Sequence, residues 1–368
     1  MARDSASLIL FPTHDRQGRP LEPGAGERPR LMACVDEPAV TDVEVHRTCR
    51  FSGWALSASG RNVVVRASFQ GNRKDYPAQR VRQDVLAVWR SQYPEASERC
   101  GFQFFVDTGA IPDPVAVSLE FDDGECIARS PEFRLRSVQR EAALRSDYKN
   151  VWNSVSKVSE DAKFAVAGHS NEEQFRRAAE ATVATLEWTV GIHSDDTVLE
   201  IGAGVGRVGA CLAKRCRKWI GADVSENMLA HLRDRLAEHP NVETVVLNGW
   251  DLSPIPSESV DVVYCTVVFM HLDEWERFSY VAEGARVLRP GGRMYVDNVN
   301  LLSEGGWAFF ISHLENFHPL DRPPNISKTS TPEELRTYFE RAGYADIRQW
   351  SESLWIATFG TKPLKAMP

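Results

Sequence analysis

The run TVLEIGAGVGR, residues 197–207, constrains this chain more than any other stretch. Thr197 to Ile201 is a short apolar segment, β-branched in part, with the length of a buried parallel strand. Gly202, Gly204 and Gly206 follow at alternate positions, and Val208, Ala210, Leu212 and Ala213 then read as a helix. Strand, glycine turn and helix make the first half of a nucleotide-binding βαβ unit. Glycine lacks a Cβ, so the backbone can turn tightly there and let a ligand approach. A dinucleotide fingerprint puts its third glycine three residues after the second. That position is Arg207, so G-x-G-x-x-G fails and G-x-G-x-G stands, with the carboxylate of Glu200 at the strand's end. The plain alternative is a turn that only links strand to helix.

With 368 residues the chain has room for two domains. A net charge of −8 disfavours a phosphate backbone as main partner, because no overall basic field attracts it. Seven cysteines, an odd number without C-x-x-C, read as reduced thiols of a cytoplasmic protein. No apolar run approaches a membrane span, and Leu8 to Phe11 is too short for a signal-peptide core.

Residues 1–30, rich in Arg, Pro and Gly, read as a flexible tail. From 31 to 136 short strands recur. Val115, Val117, Leu119 and Phe121 alternate onto one face, Asp123-Gly124 turns a hairpin, and Phe102 and Phe104 share a face. This pattern predicts a small all-β sandwich. Residues 137–160 read as a helical linker, with Glu141 to Leu144 helix-prone and Tyr148, Trp152 and Asn153 beyond. Ser170 or Asn171, after His169, caps a helix with Phe175, Ala179, Val183 and Leu186 on its apolar face. From 161 to 368 strands and helices alternate, implying an α/β fold with a mainly parallel sheet. Strands are predicted at 197–201, 218–223, 243–248, 260–266, 293–298, 344–350 and 354–360. Only Ser351 to Ser353 separates the last two, so they must pair antiparallel.

The acid-x-G-x-G-x-G run resembles the first motif of the class I methyltransferases, which use S-adenosylmethionine (SAM). The terminal hairpin is similar to the end of their seven-stranded sheet, which has helices on both faces. Three further stretches resemble the family: Trp219 to Asp223 followed by Ser225 and Met228, Leu247 to Asp251, and Leu288 to Met294. The resemblance covers about residues 145–360. It implies a SAM site formed by Glu200, Gly202, Ala203, Gly204, Gly206, Arg207, Asp223, Val224, Met228, Trp250, Asp251, Leu252 and Thr266. In that family the acid at Asp223 takes the ribose hydroxyls, the acid at Asp251 the adenine amino group, and Trp250 lies on the ring. An aromatic segment before the glycine motif, here Tyr148 and Trp152, often covers the cofactor. In the front half, Gly53 to Leu56, Arg82 to Val85 and Cys100 to Phe102 resemble accessory sandwiches of bacterial glycan-building enzymes. A packing or dimerisation module is the alternative there.

Methyl transfer needs alignment of acceptor and methyl, and a free lone pair on the acceptor. His271, just past the fourth strand, is the candidate base, and Asp297 the candidate partner. Asn298, Trp307, His313 and His318 are the candidate acceptor-binding residues, within an insert of residues 299–331 whose Trp307, Phe310, Ile311, Leu314 and Phe317 predict a buried helical face. No metal is expected, since His271 and Asp297 alone do not make a site. The expected activity is O-methylation of a small-molecule or sugar hydroxyl. N-methylation and a catalytically dead scaffold stay open, as does a homo-oligomer. An NAD-dependent oxidoreductase is opposed by Arg207 and the terminal hairpin. The expected partner is a small-molecule or glycan acceptor, not a nucleic acid.

Overall fold

A computed structural model describes residues 13–15, 17, 19–21, 28–69, 71–109, 113–138, 148–168 and 171–364. Most of the expected tail, Glu141 to Leu144, His169 and Ser170 lie outside the described residues. The chain divides into two units, Met1–Glu141 with Asn316–Arg322, and Ala142–Glu315 with Pro323–Pro368.

The first unit carries β1 (Thr13–Asp15), β2 (Leu31–Glu37), β3 (Asp42–Val45), β4 (Thr48–Ser57), β5 (Val64–Phe69), β6 (Asn72–Pro77), α1 (Gln83–Trp89), β7 (Gly101–Asp107), β8 (Val115–Asp122), β9 (Cys126–Arg129) and β10 (Phe133–Ser137). One sheet runs β1-β9-β8-β10-β3, with β5 and β6 joined through β8, and a second runs β2-β4-β7. Both sheets contribute to one apolar core: Phe51 of β4 meets Phe133 of β10 edge-on at 5.2 Å, and Phe102 of β7 meets Phe121 of β8 at 5.6 Å. Val115, Val117, Leu119 and Phe121 are all buried there, as the period of two requires. Helix α1 was not expected. It covers a separate small core in which Trp54 packs on Trp89 at 6.3 Å. The contiguous boundary 161–368 needs correction, because Asn316–Arg322 belongs to this unit. The Thr48 N–H donates to Asp321 Oδ2 at 2.6 Å, Arg50 donates to Asn316, and the His318 ring lies 5.3 Å from Phe105.

The second unit carries α2 (Tyr148–Val155), α3 (Ser159–Ala167), α4 (Glu172–Thr189), β11 (Thr197–Ile201), α5 (Gly209–Leu212), β12 (Lys218–Asp223), α6 (Glu226–Arg235), β13 (Val242–Val246), β14 (Val260–Cys265), α7 (Glu274–Val287), β15 (Leu288–Asn300), α8 (Glu304–Asn316), β16 (Thr329–Ser330), α9 (Pro332–Arg341), β17 (Ala345–Ser351) and β18 (Trp355–Thr361). The sheet order is β13-β12-β11-β14-β15-β18-β17, with the two-residue β16 added beside β15 as an eighth strand. Pairings from β13 through β15 are parallel, and β18 is antiparallel to both β15 and β17. Successive residues of each central strand enter opposite layers. Leu199, Ile220, Val263 and Met294 pack with Tyr280 and Val281 of α7 and Phe339 of α9. Val198, Trp219, Val262 and Tyr295 pack with Val183 and Leu186 of α4 and Leu232 of α6. Side chains alternate across a strand, so burial on both faces demands the near-continuous apolar runs seen in the sequence. The fifth strand starts earlier than residue 293. Leu288 pairs with Val260 and Arg293 with Val262, so Arg289 to Gly292 bulge against Asp261 alone.

Caps hold the helix starts that matter. Asn171 Oδ1 accepts from Gln174 N, Ser225 Oγ from Met228 N, and Thr331 Oγ1 from Glu334 N ahead of Pro332. The expected buried face of α8 is corrected: Trp307, Phe310 and Leu314 hold helical spacing but are exposed, Trp307 by 54%. Trp307 and Phe310 stack on each other at 5.5 Å.

Candidate functional site

The C-terminal ends of β11, β12 and β14 open into one crevice of about 790 Å³ in the second unit. Ligands of open α/β sheets bind outside these strand ends. Gly202 and Gly204 form its floor with φ of 73° and 52°, in the left-handed region that favours glycine. A Cβ on Gly204 would also come within 2.8 Å of Val166 Cγ1, and one on Gly202 would collide with Val268. Gly206, at φ 77°, instead faces Leu232 of α6 and Leu236 just beyond it.

Two buried acids frame this floor. Asp223, ending β12, accepts Gly204 N–H on Oδ2 and Ser225 N–H on Oδ1, both at 2.8 Å. Burial pushes its carboxyl up to about 6, against the pull of those backbone donors. Each oxygen still has a lone pair for a ligand hydroxyl. Glu200, on β11, accepts the Tyr264 hydroxyl at 2.5 Å, and Tyr264 in turn accepts from Trp219 Nε1 at 3.0 Å. Burial pushes Glu200 up to about 8. A cation placed beside it would favour the ionised form.

Ala203, Arg207, Val224, Met228 and Thr266 line the same crevice. Tyr148 and Trp152 of α2 line it from the far side, with Ala165 and Val166 of α3. Four expected positions do not line it: Gly206, described above, and three others. Trp250 is 58% exposed, and its carbonyl accepts the Ser279 hydroxyl at 2.6 Å. Asp251 is bound by Asn248 Nδ2 and Ser253 N–H, and that backbone donor holds its carboxyl below the usual range. Leu252 is buried in the apolar core. The cause is local: Asn248 Oδ1 accepts from both Trp250 N and Asp251 N, which folds the loop onto itself. Leu247 and Gly249 wall the crevice instead. Leu247 directly follows β13 and, two residues past Val245, shares its core-facing side.

A second cavity of about 1370 Å³ shares Ala165, Val166, Arg207, Thr266, Val267 and His271 with the first. Asp297 of β15 lines it, buried, accepting Val267 N–H on Oδ1 at 2.7 Å and facing the Tyr295 hydroxyl at 3.5 Å. Burial pushes Asp297 up to about 7. Its bond to Val267 steadies a β-branched residue at φ 61°, a strained conformation of the kind that clusters at functional sites. His271 Nδ1 lies 2.8 Å from the Asn325 carbonyl. A carbonyl only accepts, so Nδ1 carries the proton and Nε2 keeps a lone pair. Burial pushes His271 down to about 4, so the ring is neutral near pH 7. It meets Trp152 edge-on at 4.9 Å.

The four expected acceptor residues line neither cavity. Asn298 is buried, donating to Ser330 Oγ and pinning β16. Trp307 faces outward on α8, and His313 Nδ1 bonds the Phe309 carbonyl one turn back. His318 lies in the first unit. Lining residues that the sequence motifs do not single out include Val268, Leu272 and Tyr280 in the first cavity, and Trp350, Glu352 and Trp355 in the second. Among the described residues, no group of three or more His, Cys, Asp or Glu could hold a metal ion. No described helix is long and apolar enough to cross a membrane.

Residues 199–296 match the family model described as a methyltransferase domain. That match spans β11 to β15, the strands that build the crevice. The chain therefore carries a class I SAM-dependent methyltransferase domain. It is similar to a probable S-adenosylmethionine-dependent methyltransferase of Mycobacterium tuberculosis, 39% identical over 153 residues, which are 41% of this chain and 49% of that protein. A probable S-adenosylmethionine-dependent methyltransferase of Mycolicibacterium smegmatis is 40% identical over 106 residues, 29% of this chain and 39% of that one. A demethylmenaquinone methyltransferase of Tropheryma whipplei is 32% identical over 107 residues, 29% of this chain and 43% of that one. The chain thus spans half or less of the length of each of these relatives.

Proposed function

We propose that this protein transfers the methyl group of SAM to a hydroxyl of a small molecule or sugar. The observation that carries the reading is the junction of the two cavities, where the SAM crevice meets a second space at His271, Arg207 and Thr266. The crevice fits the cofactor by the chemistry of its donors and acceptors. Asp223 offers carboxylate lone pairs to a ribose diol, the Gly202–Gly204 backbone gives close approach to an amino-acid tail, and Glu200 offers a carboxylate to a cationic group. Bound there, SAM supplies an electrophilic methyl: the acceptor oxygen–carbon bond forms as the carbon–sulfur bond breaks, and sulfur keeps the electron pair.

The chain's own part is alignment, exclusion of water and removal of one proton. Tyr148 and Trp152 cover the crevice with apolar surface. The hydroxyl proton goes to Asp297 or to His271 Nε2. Asp297, poised near neutrality, is matched to that task at physiological pH, and neutral His271, with Nε2 able only to accept, takes a hydrogen bond from a second hydroxyl of the acceptor and so orients it. An oxygen acceptor needs such groups, whereas a neutral amine does not, and their presence favours O-methylation. The accessory resemblance of the front unit supports a glycan acceptor.

The reading is tested with deuterated-methyl SAM, the full chain and fractionated cell extract, followed by mass spectrometry of the products. The expected result is a product carrying the labelled methyl on oxygen, with turnover reduced at least tenfold by His271→Ala. Label found only on nitrogen overturns the O-acceptor reading, and unchanged turnover in His271→Ala removes that residue from the chemistry.

A further inference from the structure

We infer that the second cavity is the acceptor site and that it takes a hydroxyl of a neutral glycosyl ring laid against Trp350 and Trp355. The inference rests on the methyl-transfer reading above and names its substrate class. It moves acceptor recognition from α8 of the 299–331 insert onto the β17–β18 hairpin, with only Ser327 of the insert in the part of the lining that recognises the ring.

Three features carry it. The cavity joins the SAM crevice through side chains common to both, so a molecule held in it reaches the transferring centre directly. Two indoles wall it, Trp350 near the end of β17 and Trp355 at the start of β18, both half-buried. Trp350 is braced edge-on by Trp188 of α4 at 5.8 Å, which presets its plane. The polar groups are dispersed around the space: Asp297 and Tyr295 on β15, Glu352 in the hairpin, Thr182 and Thr185 on α4, and Ser327. A flat phenol offers one or two polar points and would leave most of these unmatched. A sugar ring offers an apolar C–H face to an indole and a rim of hydroxyls that each donate and accept.

Charge narrows the class further. Among the described residues Glu352 has no side-chain hydrogen bond or ion pair, so its carboxylate is available to accept from ring hydroxyls. Carboxylates and indoles together would also attract an alkylammonium group. Arg207 opens on the same space and opposes that. Its one hydrogen-bond partner among the described residues is Thr182 Oγ1 at 3.2 Å; Glu200 and Asp297 feel its charge, but neither pairs with it at ion-pair distance. On the acceptor side, where Arg207 faces Thr182, its guanidinium N–H groups donate to the hydroxyls of a neutral polyol and find no acceptor on an ammonium group.

The test uses the full chain with saturating SAM and three probe sets: methyl glycosides of common hexoses and 6-deoxyhexoses, substituted phenols, and primary amines. Mass gain of one methyl group reports transfer, and saturation-transfer NMR reports acceptor binding without turnover. The expected result is transfer to at least one glycoside. Trp355→Ala should raise its KM by about 10-fold or more while the SAM dissociation constant stays within about twofold. Glu352→Gln, on an exposed loop where folding is not at stake, should raise the glycoside KM roughly 10-fold and weaken its NMR signal. Transfer to phenols or amines alone overturns the inference. So does no transfer to any glycoside while calorimetry shows SAM bound, or a glycoside KM that neither variant moves. Failure of SAM to bind refutes the methyl-transfer reading instead.

Discussion

Asp297 gives the sharpest perturbation. Its carboxyl is buried on β15, and burial moves it from an ordinary value of 3.8 to about 7. A folded-state value above the unfolded one means that the folded chain holds the proton more tightly. The stability associated with that proton is fully present below about pH 4 and is lost as pH rises through 7. For this shift the loss between pH 5 and pH 8 is about 2–3 kcal/mol, at roughly 1.4 kcal/mol per pH unit. Asp297→Asn keeps an oxygen to accept from Val267 N–H and removes the titration. The variant should match the parent near pH 4 and exceed it at pH 8, by roughly 5–10 °C in melting temperature at 2–4 °C per kcal/mol. Differential scanning calorimetry from pH 4 to 8 reads this directly. The same substitution should lower turnover by about 10²-fold or more and abolish its rise through pH 7, because an amide cannot take the hydroxyl proton. A variant no more stable than the parent at pH 8 refutes the assignment of a buried acid that is costly to ionise at this position. A variant with full activity and the parent's pH profile refutes its part in the chemistry.

Gly204→Ala places a methyl group 2.8 Å from Val166 at a left-handed φ. It should cost about 1–3 kcal/mol in chemical denaturation and weaken SAM binding more than 10-fold by calorimetry. Trp250→Ala should leave the SAM dissociation constant within about twofold, since the indole is exposed and outside the crevice. A larger loss there would restore the stacking role that its sequence position suggested.

What could be read from residues alone follows from burial. The strands β11, β12 and β14 lie inside two apolar layers, so their sequences carry continuous apolar runs and their ends are sharp. The glycines and Asp223 were legible because backbone geometry and a buried acid leave few substitutes. Trp250 and Asp251 were misplaced because one side chain, Asn248, redirects the loop by bonding two backbone N–H groups, which spacing does not encode. The acceptor wall was missed because Trp350 and Trp355 read simply as strand residues. The antiparallel pairings of β18 with β15 and of β17 with β18 bring them to the cavity that Asp297 lines, more than fifty residues earlier in the chain. Helix α8 illustrates the converse, since Trp307, Phe310 and Leu314 keep a helical period without a layer to bury them. Asn316–Arg322 joined the first unit through Asp321 and His318, a long-range contact beyond any local pattern.

The central claim is that SAM lies across the ends of β11 and β12, its ribose held by Asp223 and its cationic end beside Glu200. Isothermal titration of the full chain with SAM, repeated with Asp223→Ala, tests it most directly. SAM should bind saturably at one site per chain, and at least 10-fold more weakly in the variant. Absence of binding heat, or equal affinity in parent and variant, would contradict it.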